Sequence, residues 1–356
     1  MEPEKGCNFA AEVFKERDMK TDMKRWAADI ISQKRVAAVP VMTHPGIELT
    51  GHTVRQAVSD GRVHAEAVVR LAERWPSAAA CTMMDLTVEA EAFGAEIAFS
   101  DEAVPSVASR LLTDVESIYE LKVPQLSAGR IPQYLKASLL ASEAIADRPL
   151  LGGCIGPFSL AGRLYDMSEM MVLTCEHADA AHVLLQKCTD FIGKYCEALK
   201  MTGANGVLMA EPAAGLLSNE DCRVFSSQYV RQIVERVQDD GFMVVLHNCG
   251  NQGHCTKAMV ETGAAAFHFG NKCSMEDVIA DIPADALAMG NLDPVSLFKD
   301  GTPEQMREAT LHLLERMRQY PNFVISSGCD TPPHTPIENV EAFFGACAKW
   351  NEAVGK

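Results

Sequence analysis

The sequence predicts an α/β fold, a (β/α)8 TIM barrel with helical additions at its N-terminus. Three observations carry that expectation. Short apolar runs alternate with longer segments of helical periodicity, the runs number eight, and no motif supports an open nucleotide-binding sheet in its place.

The strand-like runs lie at 36–42, 79–85, 149–155, 206–210, 243–247, 264–269, 286–291 and 323–327. Each is a near-continuous apolar stretch, as expected of parallel strands covered on both faces. Helical periodicity fills the intervals, most clearly at 181–201 and 303–320. The second of these is well punctuated. Thr302 can cap, Pro303 suits the first helical position, and Glu304 complements the positive end of the helix dipole. The interval before Pro149 is long and should hold extra helices or a hairpin, and residues 1–35 read as an N-terminal helical extension. The rival architecture is a Rossmann sheet. It would need G-x-G-x-x-G after an early strand or a G-x-x-x-x-G-K-[ST] loop, and the sequence contains neither.

Composition narrows the class. The 356 residues carry 48 acids against 32 lysines and arginines, a formal charge of -16. That balance disfavours a broad nucleic-acid or anionic-membrane surface, both of which need clustered positive charge. No run of 18 apolar residues occurs, and the N-terminus lacks the apolar core of a secretory signal. A cytoplasmic protein is the expectation. The 12 cysteines are too scattered for a small disulfide scaffold, and most read as small buried hydrophobes in a reducing compartment.

In a barrel, chemistry belongs at the C-terminal strand ends. The residues there are His44, Asp85 and Glu89, Glu211, His247 and Cys249, His268, Asn291 and Asp293, and Cys329. The strongest local signal is VVLHNCG at 244–250. Residues two apart in an extended segment face the same side, so His247 and Cys249 can converge on one ion, and Gly250 lets the chain turn away afterwards. A third soft ligand, Cys329, follows the last strand in SSGCD. One nitrogen and two sulfurs suit zinc better than magnesium or calcium, and three protein ligands leave a fourth position open. An H-x-C pair is also what a satisfied histidine beside a buried thiol looks like. His254, Cys255 and Cys273 lie close enough in sequence to compete for the ligand role.

These motifs together give the chain a resemblance to a known family. DLTVEAEAFGAEIAFSD (85–101), GGCIGPFSLAGRL (152–164), EPAAGLLS (211–218), the H-x-C pair, MGNLDP (289–294) and SSGCDTPPHTPIENVEAF (326–343) resemble the uroporphyrinogen decarboxylase superfamily. Within it they resemble the zinc-dependent, cobamide-linked methyltransferases of the methylcobamide:coenzyme M type. The resemblance spans most of the chain and implies a single barrel domain over 1–356. It implies zinc held by His247, Cys249 and Cys329, and a zinc-activated thiolate of a small thiol that takes a methyl group from a methyl-cobalt corrinoid. Decarboxylation is not expected. The arginine-rich segment of the decarboxylases corresponds to VPVMTHPGIELTGHT (39–53), which has no arginine, and their C-terminal histidine corresponds to Cys329.

Glu211 is the candidate catalytic carboxylate, as an oxygen ligand, a proton acceptor, or a group that only orients a ligand. Asp85 and Glu89 stand as lesser candidates, and for Glu89 the positive end of a helix dipole is a sufficient explanation. Asp330 reads as a cap or turn residue and His334 as exposed. Arg163 is a candidate partner for an anionic substrate tail. The glycine-rich stretch 152–164 lacks the Lys and Ser/Thr of a phosphate loop and reads as a strand-to-helix turn. No D-x-H-x-x-G corrinoid-binding signature occurs, so the corrinoid should arrive on a separate protein. Transfer in the opposite direction stays open, from a methylthiol, methylamine or aryl methyl ether to cob(I)amide. So do a family member without decarboxylase activity and a zinc-stabilised scaffold.

Overall fold

The computed structural model describes residues 21–354, and its strands lie where the apolar runs place them. In chain order they are β1 (Ala37–Ala38), β2 (Ala80–Cys81), β3 (Ile97–Ala98), β4 (Ser106–Val107), β5 (Leu150–Ile155), β6 (Gly206–Ala210), β7 (Met243–Asn248), β8 (Ala266–Phe269), β9 (Leu287–Leu292) and β10 (Phe323–Ser327). β3 and β4 form a separate antiparallel pair in the long interval before Pro149. The other eight make one parallel sheet in the order β1-β10-β9-β8-β7-β6-β5-β2. The Ala78 N–H donates to the Ala38 carbonyl at 2.8 Å and joins the two end strands. The result is a (β/α)8 barrel, in which the two end strands of the sheet are brought together.

β1 and β2 are shorter than their apolar runs because side chains replace backbone in the ladder. Past Ala38, Val39 still bonds the Ile325 carbonyl, but Pro40 has no N–H and Val41 donates to the Ser327 hydroxyl. Past Cys81, the Thr82 hydroxyl accepts from Gly153, and Met83 donates to His64.

Period-two alternation divides the strand residues between two cores. Val39, Cys81, Leu151, Leu208, Met243, Val245, Ala266, Leu287, Met289 and Val324 fill the barrel interior. Val244, Leu246, Phe267, Phe269, Ala288 and Ile325 face the surrounding helices. Helix Met23–Ser32, capped by Asp22, turns Met23, Ala27 and Ile30 into the interior cluster and closes the N-terminal end of the barrel. The i, i+4, i+7 spacing of these three is one helical stripe. It lies within the expected extension; residues 1–20 are outside the described part of the chain.

The expected helix at 181–201 begins one turn earlier, as Ala178–Met201. The helix at 303–320 ends at Met317 and is capped by Thr302, whose hydroxyl accepts from Gln305 N while the Gln305 side chain returns to Thr302 N. Six helices, His44–Thr50, Val54–Ser59, Gly61–Arg74, Val88–Phe93, Val115–Glu120 and Ile131–Ala144, fill the long interval between β1 and β5, where extra helices are expected. Toward the C-terminal strand ends the inward phase turns polar. Val245 is followed two residues on by His247, Ala266 by His268, Met289 by Asn291 and Val324 by Ser326. The same alternation that packs the interior therefore presents imidazole, amide and hydroxyl groups at the mouth.

Candidate metal centre

His247 is completely buried on β7, in register with His268 on β8. Cys249 follows just beyond the strand, and Cys329 follows β10 after Gly328, whose N–H is held by the Leu292 carbonyl at 2.6 Å. One ligand atom from each of His247, Cys249 and Cys329 lies within 4.8 Å of the other two. A tetrahedral zinc with bonds of about 2.0–2.3 Å needs ligand atoms roughly 3.3–3.8 Å apart. Ligand atoms all within 4.8 Å of one another are compatible with that spacing. Gly250 serves this geometry by close approach: a β-carbon there would stand 2.3 Å from the Pro212 carbonyl oxygen.

The donor set fits an ion on the protein's own terms. His247 Nε2 is buried and has no hydrogen-bond partner among the described residues, a costly arrangement for a polar atom unless something binds it. The other ring nitrogen is engaged, Nδ1 to His268 Nδ1 at 2.7 Å. The thiols act as a pair. The facing Cys329 holds the Cys249 thiol below the ordinary range, while the proximity of Cys249 together with burial holds Cys329 above it. A buried imidazole nitrogen beside two facing thiols is the donor chemistry of zinc sites.

The competing residues stand apart from this group. His254 and Cys255 turn to the carbonyls of Leu217 and Ala214, and Cys273 bonds the Gly270 carbonyl, with burial pushing its thiol up to about 11. Every cysteine among the described residues is free of disulfide bonding.

Glu211 follows β6 beside the His247, Cys249 and Cys329 cluster without joining it. Its N–H donates to the His247 carbonyl at 2.8 Å. Its carboxylate sits on the N-terminus of helix Pro157–Tyr165, where Oε1 accepts from Phe158 N at 2.7 Å and Ser226 Oγ at 3.0 Å, and Oε2 accepts from Ser159 N at 2.8 Å. The glycine-rich turn of 152–164 thus directs its free N–H groups at an internal carboxylate, which explains its lack of phosphate-loop character. Arg163, on the same helix, is exposed.

Asp85 is the acceptor of a buried cluster: Arg130 Nη1 at 2.6 Å, Tyr134 Oη at 3.0 Å and Thr87 Oγ1 at 2.6 Å. Glu89 stands in the first turn of helix Val88–Phe93, as a helix-start acid should, and also reaches across to accept from Ile155 N on β5; burial pushes its carboxyl up to about 7. Asp330 is half-buried beyond β10 and accepts from Thr43 Oγ1 at 2.8 Å beside His44. His334 is exposed and pairs with Glu102 at 2.8 Å. His268 is the group the sequence left without a role. Its signal was present, since two inward histidines on adjacent strands must meet.

A family model for uroporphyrinogen decarboxylase (URO-D) matches residues 27–350. The methylcobamide:CoM methyltransferase MtbA of Methanosarcina mazei is 31% identical over 270 residues, 74% of this chain and 77% of that protein. The methylated-thiol–coenzyme M methyltransferase of the same organism is 26% identical over 275 residues, 76% of this chain and 72% of that one. Among solved structures, a methyltransferase from Methanosarcina mazei shares the fold with a TM-score of 0.83 at 24% identity, covering 92% of this chain and 98% of that one. The chain belongs to the uroporphyrinogen decarboxylase (URO-D) family and stands within it as a methyltransferase.

Proposed function

We propose that the protein is a zinc-dependent corrinoid methyltransferase in which a small thiol takes a methyl group from a methyl-cobalt(III) corrinoid. The products are a thioether and a cobalt(I) corrinoid, the electron pair of the cobalt–carbon bond staying on cobalt. The observation that carries this reading is the convergence of His247, Cys249 and Cys329 around an unpartnered His247 Nε2. Similarity to a methylcobamide:CoM methyltransferase over three quarters of the chain supports it.

In this reading His247, Cys249 and Cys329 hold the ion and leave one position for the substrate sulfur. When bound, zinc supplies the Lewis acidity that keeps a thiol ionised at neutral pH. The chain's own contribution is placement. β7 and β10 fix the ligands at the barrel mouth, where a corrinoid on a separate protein can dock, and the apolar barrel interior excludes water from beneath. Glu211 acts by position: its oxygens are already held by three donors, which favours an anchoring and orienting role over ligation. No described helix is long and apolar enough to cross a membrane, and the whole chain is proposed to work as one cytoplasmic domain.

The opposite direction, from a methylated thiol to cob(I)amide, is the second reading. A relative named for methylated-thiol–coenzyme M transfer favours it. The same sulfur-accepting position serves both.

The test is zinc content after anaerobic purification, with X-ray absorption at the zinc edge before and after adding 2-mercaptoethanol. One zinc per chain, with a nitrogen and two-sulfur shell that gains a third sulfur, is expected. Absence of zinc, or a shell indifferent to thiol, overturns the proposal. Demethylation of methylcobalamin by thiols, against methylation of cob(I)alamin by methylthiols, then separates the two directions.

A further inference from the structure

We infer that His268 is a positioning residue for the metal centre: it locks His247 into the tautomer whose Nε2 lone pair is free to bind the ion. The inference rests on the zinc reading above and adds to it a control element three side chains long. The order of protons along that element is set at its far end, on the opposite side of the barrel mouth.

Ser326 Oγ lies 2.7 Å from the Val39 carbonyl oxygen and 2.8 Å from His268 Nε2. A backbone carbonyl can only accept, and a serine hydroxyl has one proton to give. Ser326 therefore donates to Val39 and must accept from His268, which places a proton on His268 Nε2. His268 is fully buried, and among the described residues no carboxylate is hydrogen-bonded to it. A doubly protonated ring there would be an unpaired buried cation, so the ring is neutral and its Nδ1 is an acceptor. Nδ1 faces His247 Nδ1 at 2.7 Å. Two lone pairs cannot face each other at that distance, so His247 carries its proton on Nδ1. Its Nε2 then has a lone pair and no proton, and this is the buried atom without a partner beside Cys249 and Cys329.

The chain Val39–Ser326–His268–His247 spans β1's continuation, β10, β8 and β7, elements fixed by the barrel ladder. It does for His247 what a carboxylate or carbonyl commonly does for a ligating histidine, with a second neutral imidazole as the acceptor.

The experiment uses the full chain and two readouts. Long-range proton–nitrogen NMR of the zinc-free protein should show His247 as the Nδ1–H tautomer and His268 as the Nε2–H tautomer; the reverse assignment overturns the inference without touching the zinc reading. Zinc affinity is then measured by chelator competition in the parent protein, His268→Leu, His268→Gln and Ser326→Ala. His268→Leu should bind about 10- to 100-fold more weakly, the loss typical of removing such a partner. His268→Gln, whose amide offers one acceptor and one donor, should recover most of it. Ser326→Ala keeps the His247–His268 contact, should lose only a few-fold, and stands in if His268→Leu does not fold. Affinity unchanged in every folded variant overturns the inference. A parent protein that binds no zinc overturns the zinc reading itself, a result distinct from the other two.

Discussion

Ser159 donates its backbone N–H to Glu211 Oε2 at 2.8 Å, while Phe158 donates to Oε1 at 2.7 Å. Glu211 thereby ties the N-terminus of one barrel helix to the strand end beside His247. Burial pushes its carboxyl upward while these donors pull it down. Glu211→Gln replaces an acceptor with a donor that must face one of these N–H groups. The expected cost is about 1–3 kcal/mol in urea unfolding, with slower methyl transfer and unchanged zinc content. Loss of zinc, or of a light-atom contribution at the zinc edge, would instead make Glu211 a ligand.

Gly156 tests the same seat from the other side. Its backbone has an ordinary φ of -85°, so the glycine is required only by space. A β-carbon there would stand 2.4 Å from Glu211 Oε2 and 2.5 Å from its Cδ. Because the carboxylate is held by three donors, it cannot swing away cheaply. Gly156→Ala should destabilise by about 1–3 kcal/mol, the usual cost of overpacking, and should slow turnover in step with Glu211→Gln. A fully stable and active variant would mean that the carboxylate is free to move.

Cys249→Ser and Cys329→Ser each remove one sulfur from the proposed metal centre. Neither cysteine is needed to fill the core, since both are only half-buried. Zinc affinity should fall by more than about 100-fold, beyond the loss expected from an outer partner. Methyl transfer should fall with it, and far-UV circular dichroism should keep the parent's shape. Retained activity in metal-stripped variants would remove these residues from the mechanism.

The fold was legible because every barrel strand is buried on both faces, so each wrote itself as an apolar run; the structure shortens β1 and β2 only where Pro40 and the Thr82 hydroxyl interrupt the ladder. The meeting of His247, Cys249 and Cys329 was legible for a related reason. His247 and Cys249 are two apart at the end of a strand, and Cys329 ends another. The carboxylates were harder, because a sequence states that a residue is ionisable but not which N–H groups close on it. Glu89 reads as a helix-start acid and is one, but nothing in the sequence shows that it also bridges to β5. His268 was placed at a strand end but given no role, because its partner lies 21 positions away on the next strand and only the β7–β8 register brings the two rings together.

Glu89 and His64 give the protein two opposing pH dependences. Burial pushes the Glu89 carboxyl from 4.5 up to about 7 and the His64 imidazole from 6.5 down to about 4. Between pH 4.5 and 7 folded Glu89 keeps a proton that the unfolded chain has lost, so its contribution is full below pH 4.5 and fades as pH rises toward 7. Between pH 6.5 and 4 unfolded His64 takes up a proton that the folded chain refuses, so its contribution is full above pH 6.5 and fades as pH falls toward 4. Each change is worth roughly 3 kcal/mol from the size of its shift, and across pH 4.5–6.5 the two largely cancel. Glu89→Gln keeps an oxygen for the Ile155 N–H and removes only the titration. The variant should therefore gain stability relative to the parent by up to roughly 3 kcal/mol on going from pH 4.5 to pH 8. Urea unfolding of both proteins at these two pH values measures that difference. Parallel behaviour would mean that Glu89 is already ionised in the folded protein at neutral pH.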